Sequence, residues 1–311
     1  MGSPVEMHFI TARDLLEYLS PLNSAWNSGT HIFRGQGSDQ YRLTPSICRR
    51  GKGSFAHGSP RKAFSHNYKA QVQYELMVLR QFLLGCDRAG LAVPGYSEQT
   101  KASITNTPNI YLSASNPWPQ PQMYEMLAVA QHYDVPTRLL DWTERSFVAC
   151  YFAAASANFV VNSHLDRIAI WALDTSHSKD WKTVKIIRTP GGTSKNQAAQ
   201  SGLFTTHITD SKRFTEIYQP EALEEVDEIY GESGEQGTLI KMTLPVLQAP
   251  ALLELCSKLG VDASTLFPGH SGVAQSVRDW AKIEVGVTPT DAFRNDYYGN
   301  LHTFDSLPTM E

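Results

Sequence analysis

Apolar positions recur at helical spacing in the first half of the chain and at shorter spacing in much of the second. Val72, Leu76, Leu79 and Leu83 fall three or four residues apart, which predicts a helix over His66 to Gly85. Thr11 stands where an N-cap would, Asp14 follows three residues on, and Leu15, Leu16 and Leu19 complete a short amphipathic helix, Thr11 to Ser20, that Pro21 ends. Met126, Leu127 and Ala130 predict a helix from Gln122 to Tyr133, with Asp134 and Pro136 beyond its end. Phe147, Val148, Tyr151, Phe152 and Ala155 give a wide apolar face, read as a central helix over Thr143 to Asn158. Short β-branched or aromatic runs predict strands at Thr30–Arg34, Arg167–Leu173, Lys182–Ile187, Leu203–Thr206 and Thr238–Leu244. Pro250–Leu259 and Ser271–Lys282 return to helical spacing. Turn residues dominate Pro94–Pro121, and Arg49–Lys62 is a Gly-, Ser- and basic-rich stretch that reads as a mobile loop.

The fold class that follows is α/β (mixed α+β), a helix-rich first half packed on a strand-rich second half. The divisions are an N-terminal helical lead-in over 1–29, a single domain over 30–280, and a C-terminal arm or tail over 281–311. No repeat appears within the 311 residues, which argues against solenoids and propellers. With 27 Lys plus Arg against 31 Asp plus Glu, the net charge of −4 does not drive the chain onto nucleic acid or an anionic membrane. Cys48, Cys86, Cys150 and Cys256 lie far apart without a C-x-x-C pair, so neither zinc nor a disulfide framework is expected, and a cytoplasmic setting fits. The longest apolar stretch, Ser146 to Val161, is too short to cross a bilayer, and no secretory leader is apparent. Seven acids between Glu221 and Glu235 read as a solvated helix face and loop.

Four clusters carry candidate chemistry. In His31-Ile32-Phe33-Arg34-Gly35-Gln36-Gly37, a strand delivers a guanidinium fork beside two glycines, a setting for phosphate or carboxylate, and Arg42 adds a second positive charge. The alternative is an Arg paired with a buried acid and glycines that only turn the chain. In Gln131-His132-Tyr133-Asp134-Val135-Pro136-Thr137-Arg138-Leu139-Leu140-Asp141-Trp142, a polar group abuts a buried helix and must be satisfied, so Arg138 and Asp141 are expected to pair with each other or with backbone carbonyls. His132, at a helix end, is a candidate base or ribose ligand. Asn196 to Thr205 offers amides, among them Gln200, and the Thr205 hydroxyl leading into a strand, with a capped helix and turn as the alternative. Leu266-Phe267-Pro268-Gly269-His270-Ser271-Gly272 reads as a turn with a helix start. The Walker A, nucleophile-elbow, zincin and dinucleotide fingerprints are all missing, and no metal site is expected.

These clusters, in this order, resemble the FRG domain family, named for a Phe/Tyr-Arg-Gly motif, here Phe33-Arg34-Gly35. Leu127 to Trp142 is similar to the family's L-A-x-A-Q-H-Y-x-x-P-T-R-L-L-D-W signature; Ala199–Thr205 and Leu266–Pro268 resemble its later elements. Members occur among prokaryotic and phage-conflict proteins, including candidate toxins, and the strand-borne Arg-Gly resembles the first motif of ADP-ribosyltransferases. The resemblance implies an ADP-ribosyltransferase-like split sheet and an effector that uses NAD as a substrate and modifies RNA, DNA or protein, with an antitoxin or defence partner and no membrane partner. Under it Arg34, His132 and Asp141 are the catalytic candidates; Arg34, Gly35, Gln131, Arg42, Gln200 and Thr205 hold the nucleotide. Asp141 is either a strut for Arg138 or the acid that stabilises an oxocarbenium-like state. Two departures, Gly269-His270-Ser271-Gly272 in place of an acidic Asp-Leu-Asp-Gly and the lack of a late Glu-x-Glu, leave open a nucleotide or phosphate-ligand sensor that uses the same pocket without turnover. A third reading places nucleic acid on the basic Arg49–Lys62 loop.

Overall fold

A computed structural model describes residues 2–26, 28–49, 67–106, 117–157, 166–191, 194–230 and 238–286. Most of the basic loop after Arg49, Glu232 and Glu235, and the arm from residue 287 lie outside the described residues. Seven strands form the centre: β1 (Val5–His8), β2 (His31–Gln36), β3 (Leu139–Thr143), β4 (Arg167–Asp174), β5 (Val184–Ile187), β6 (Gly202–His207) and β7 (Leu239–Pro245). Their order across the sheet is β1-β7-β4-β2-β3-β6-β5, with β1 parallel to β7 and every other pair antiparallel. The protein is thus a mixed α/β fold, but its halves are not separate layers. First-half strands β2 and β3 lie in the middle, flanked by second-half strands β4 and β6.

The period-two alternation of strand side chains sets the two faces. Phe33, Ile168, Ile170, Ala172, Met242 and Leu244 pack against α1 (Ala12–Tyr18), α5 (Ser146–Ala155) and α7 (Ala249–Lys258). Farther along the same face, Leu139, Phe204 and Ile187 meet α2 (Tyr68–Ala89) and α4 (Tyr124–His132). The opposite face, with Ile32, Leu140, Trp142, Trp171 and Leu203, is covered by Trp181 and by short turns carrying Leu223, Ile229 and Tyr230. Smaller helices, α3 (Glu98–Asn106), α6 (Lys195–Ala199) and α8 (Ala263–Leu266), complete the set with α9 (His270–Gly286), which docks on α5 where the Tyr151 hydroxyl donates to buried Asp279 at 2.7 Å.

Local signals held where the pattern was local. Thr11 caps α1 by accepting from the Asp14 amide, Asn67 caps α2, and Gly90 ends α2 in the left-handed region at φ 68°. The helix expected from Thr143 begins later, because Thr143 ends β3 and its hydroxyl accepts the Arg145 amide at 3.0 Å, turning the chain before Ser146. Strand β3 was hidden by its polar neighbours, and β1 and α3 carried too weak a pattern to be read. The Pro94–Pro121 stretch is not all loop: it holds α3 and a fully buried Trp118. The acidic segment is no solvated helix face either. Glu224 and Glu225 pair with Arg42, and Glu228 accepts the backbone amides of Lys182, Thr183 and Val184 at the start of β5.

One polar group lies in the core between α2 and β3. The Arg138 guanidinium donates through Nε and Nη2 to Glu75, each at 2.7 Å, and through Nη1 to the His207 carbonyl and the Thr209 hydroxyl. Glu75 also accepts from Trp118 Nε1 at 2.7 Å and from Gln71 at 3.0 Å, so the pair is buried with its valences filled. Burial pulls the pKa of Arg138 down; the Glu75 charge and hydrogen bonds outweigh that and raise it. Arg138 does not pair with Asp141: its guanidinium is taken up by Glu75, the His207 carbonyl and the Thr209 hydroxyl, while Asp141 meets Gln131 and Arg34.

Removing one partner of this pair strands a buried charge, so Glu75→Ala is expected to cost about 3–5 kcal/mol in urea unfolding; a loss under 1 kcal/mol would show the pair to be incidental. Beside it, burial lowers His207 to about 4 from an ordinary 6.5. Its depressed folded pKa means that the unfolded chain takes up a proton first, so stability is full above pH 6.5 and falls toward pH 4, by at most about 1.4 kcal/mol per pH unit. Comparison of His207→Gln with wild type by thermal unfolding across this window should show a flatter pH dependence in the variant.

Candidate functional site

Strand β2 alternates Ile32, Arg34 and Gln36 against Phe33 and Gly35, and its glycines serve a neighbour rather than a ligand. A Cβ on Gly35 would lie 2.0 Å from the Ala149 carbonyl and 2.5 Å from the Ala153 amide, and one on Gly37 would lie 2.1 Å from the Ser156 carbonyl. Helix α5 therefore rests directly on the β2 backbone, and close helix packing by itself requires glycine at position 35, one of the residues expected to hold a nucleotide. Gln36 is buried and accepts from Trp171 Nε1 at 2.7 Å.

Strands β2 and β4 pair over six residues, but β2 and β3 share one register pair, Phe33 with Thr143. The sheet is continuous yet opens there into a seam. Arg34 bridges it: Nη1 donates to the Asp141 carbonyl at 2.7 Å and lies 3.4 Å from the Asp141 carboxylate. The Arg34 side chain is only 13% exposed, its Nε is buried without a hydrogen-bond partner, and Asp141 is 60% exposed. A buried donor left open beside an accessible carboxylate is the feature of the fold that most calls for a ligand.

A hydrogen-bonded chain orients Asp141. Its Oδ1 accepts from Gln131 Nε2 at 2.7 Å, and Gln131 Oε1 accepts from the Thr137 hydroxyl, which itself accepts the Leu139 amide. The Thr137 backbone is strapped to Ser46, whose hydroxyl accepts the Thr137 amide at 3.1 Å, and to the Ile47 amide. Just beyond stands Arg49, its Nε donating to the Thr44 carbonyl at 3.1 Å. Burial and then the Arg34 charge hold Arg49 below the ordinary guanidinium value, while the Asp141 charge pulls the other way.

The structure brings Arg34, Gln131 and Asp141 together and leaves the other candidates outside this contact network. His132 is exposed, with its ring packed edge-on against Tyr133 at 5.0 Å; Gln131, one residue earlier on α4, takes the place expected of it. Arg42 is held by Glu224 and Glu225. Thr205 is buried and accepts from Trp142 Nε1 at 2.9 Å on the sheet face opposite Asp141, since Leu140 is its register partner. Gln200 donates to the Leu266 carbonyl, tying the α6 turn to α8, and Ser194 caps α6, so that cluster is the capped helix and turn. Among the described residues, no three His, Cys, Asp or Glu side chains are grouped to hold a metal, and no helix is long and apolar enough to cross a membrane. All four cysteines are unpaired. Sequence reading missed the roles of Ser46 and Thr137, for which no periodic signal exists.

The family model of the FRG domain matches residues 29–160, a span holding every residue of the seam network. That span is similar to the FRG domain. Strands β2 and β3 of that span pair with β4 and β6 beyond it, so its sheet is completed by later residues. No curated protein and no solved structure matches the chain.

Because the atoms that a Gly35 Cβ would meet are backbone, Gly35→Ala is expected to lower stability by about 3 kcal/mol in thermal unfolding, well beyond the effect of Arg34→Ala. A Gly35→Ala protein as stable as wild type would return the glycine to the ligand.

Proposed function

We propose that the seam binds a nucleotide through its phosphates and uses NAD as an ADP-ribosyl donor. The observation that carries the reading is Arg34, mostly buried with an open Nε, beside the exposed carboxylate of Asp141. Guanidinium forks suit phosphate oxygens, and desolvation strengthens their hold. The nicotinamide ribose then lies against Asp141. The C1′–N bond breaks, the electron pair leaves with nicotinamide, and the ribosyl cation that develops is stabilised by the carboxylate that Gln131 and Thr137 orient. An acceptor nitrogen or oxygen attacks C1′ and releases its proton. Positioning supplies the rest of the rate, since nicotinamide is an adequate leaving group. His132, packed on Tyr133, takes no direct part. With a span similar to the FRG domain, the chain fits a cytoplasmic effector of defence or toxin type that acts on nucleic acid or protein and is restrained by a partner.

A second reading, binding without turnover, is favoured by one observation: both Asp141 carboxylate oxygens already have partners, Oδ1 in Gln131 and Oδ2 in Arg34. Incubation with labelled NAD, alone and with RNA, DNA or lysate, separates the two. Nicotinamide release is expected to fall about 100-fold in Arg34→Ala and in Asp141→Asn. Release equal to wild type in both variants would sink the site; thermal stabilisation by NAD without release would establish the sensor.

A further inference from the structure

Helix α9 is fastened along one flank and bare along another. On the fastened flank a Cβ at Gly272 would lie 1.9 Å from the Phe267 carbonyl at the end of α8, Asp279 accepts from the Tyr151 hydroxyl, Lys282 Nζ donates to the Ala155 carbonyl at 2.6 Å, and Ile283 packs against the core. One residue on from Gly272 and Asp279, Val273 and Trp280 are turned about 100° round the helix, and Val277 lies between them. These three follow at i, i+4 and i+7 and are 55%, 58% and 60% exposed. Among the described residues, no other α-helix carries more than one large apolar side chain so open. Single exposed apolar residues need no cover, but a stripe that ends in a tryptophan does.

The chain's own continuation lies within reach. Helix α9 ends at Gly286, Pro289 cannot prolong a helix, and residues 287–311 follow. In that segment Phe293, Tyr297, Leu301 and Phe304 recur every three or four positions, which matches the spacing of the stripe. Trp280 stands about 9 Å back from the end of α9, and the seven residues from Gly286 to Phe293 reach up to about 23 Å, so a reversal of the chain brings Phe293 to Trp280 with slack. A segment tethered this closely acts at an effective concentration in the millimolar range, which a second copy of the chain in dilute solution does not match. We propose that residues 287–311 turn back along α9 and cover Val273, Val277 and Trp280 with Phe293, Tyr297 and Leu301. The proposal is independent of the seam and of its ligand.

Acrylamide quenching of tryptophan fluorescence in the full chain tests it, because Trp280 is exposed and the other five of the six tryptophans are buried. With the segment in place, wild type is expected to be quenched no more than Trp280→Phe. Tyr297→Asp combined with Leu301→Asp should raise the quenching, and adding Trp280→Phe to that pair should abolish the rise. Trypsin cleavage after Arg294 gives a second reading with the segment's own sequence untouched. Val277→Asp, at an exposed position of α9, is expected to speed that cleavage about ten-fold, since cleavage follows the population in which the segment is released. The proposal is overturned if Trp280 in wild type is quenched as strongly as in the doubly substituted chain, or if Val277→Asp is cleaved at the wild-type rate. It is equally overturned if the protection of Trp280 is lost on dilution, which would make a second copy the cover.

Discussion

The contact between Arg138 and Glu75 ties helix α2 to the start of β3, and much of the seam is registered from there. A guanidinium and a carboxylate in an apolar core are tolerated only with their hydrogen bonds filled, and here Trp118, Gln71, Thr209 and the His207 carbonyl fill them. The geometry that satisfies Arg138 also fixes where the chain enters β3. It thereby sets which face Asp141 occupies three residues later. With Arg138 engaged on α2, Asp141 is left to Arg34 and Gln131.

A second constraint acts from the other side of the seam. Helix α5 lies against β2 so closely that only glycine fits at positions 35 and 37. That contact holds the backbone on either side of Arg34, while β3 leaves the β2 ladder after a single pair. The resulting gap is spanned by a side chain rather than by backbone hydrogen bonds. An arginine in that position keeps a donor that the protein itself does not satisfy, and this coupling of strand divergence to an open guanidinium is the ground for proposing a ligand at the seam.

Much of this was legible in the chain. The helix read over His66 to Gly85 (α2 in the fold, which runs on to Ala89), the cap at Thr11 and the strands at β4, β6 and β7 follow from local periodicity and capping, which depend on residues within one or two turns. Asp141 was marked because a polar cluster next to an apolar helix must find partners, Arg34 as a guanidinium beside two glycines, and Gln131 through the family resemblance. Strand β3 was not legible: five residues with an aspartate at the centre, flanked by a polar turn, carry no clean alternation. His132 looked more reactive than Gln131 by residue type, yet a step of one residue on a helix turns a side chain by about 100°, and that rotation placed the amide inside and the imidazole outside.

By itself the sequence determined the element types, the FRG signature and the small set of polar residues that needed partners, because each of these is written within a few residues of itself. Only the tertiary structure determined who those partners are. Arg34 meets Asp141 across 107 positions and Arg138 meets Glu75 across 63, and separations of that size leave no period or spacing to read. The helix packing at Gly35 was hidden for the same reason: the atom that forbids a Cβ there, the Ala149 carbonyl, is brought to it by the fold alone.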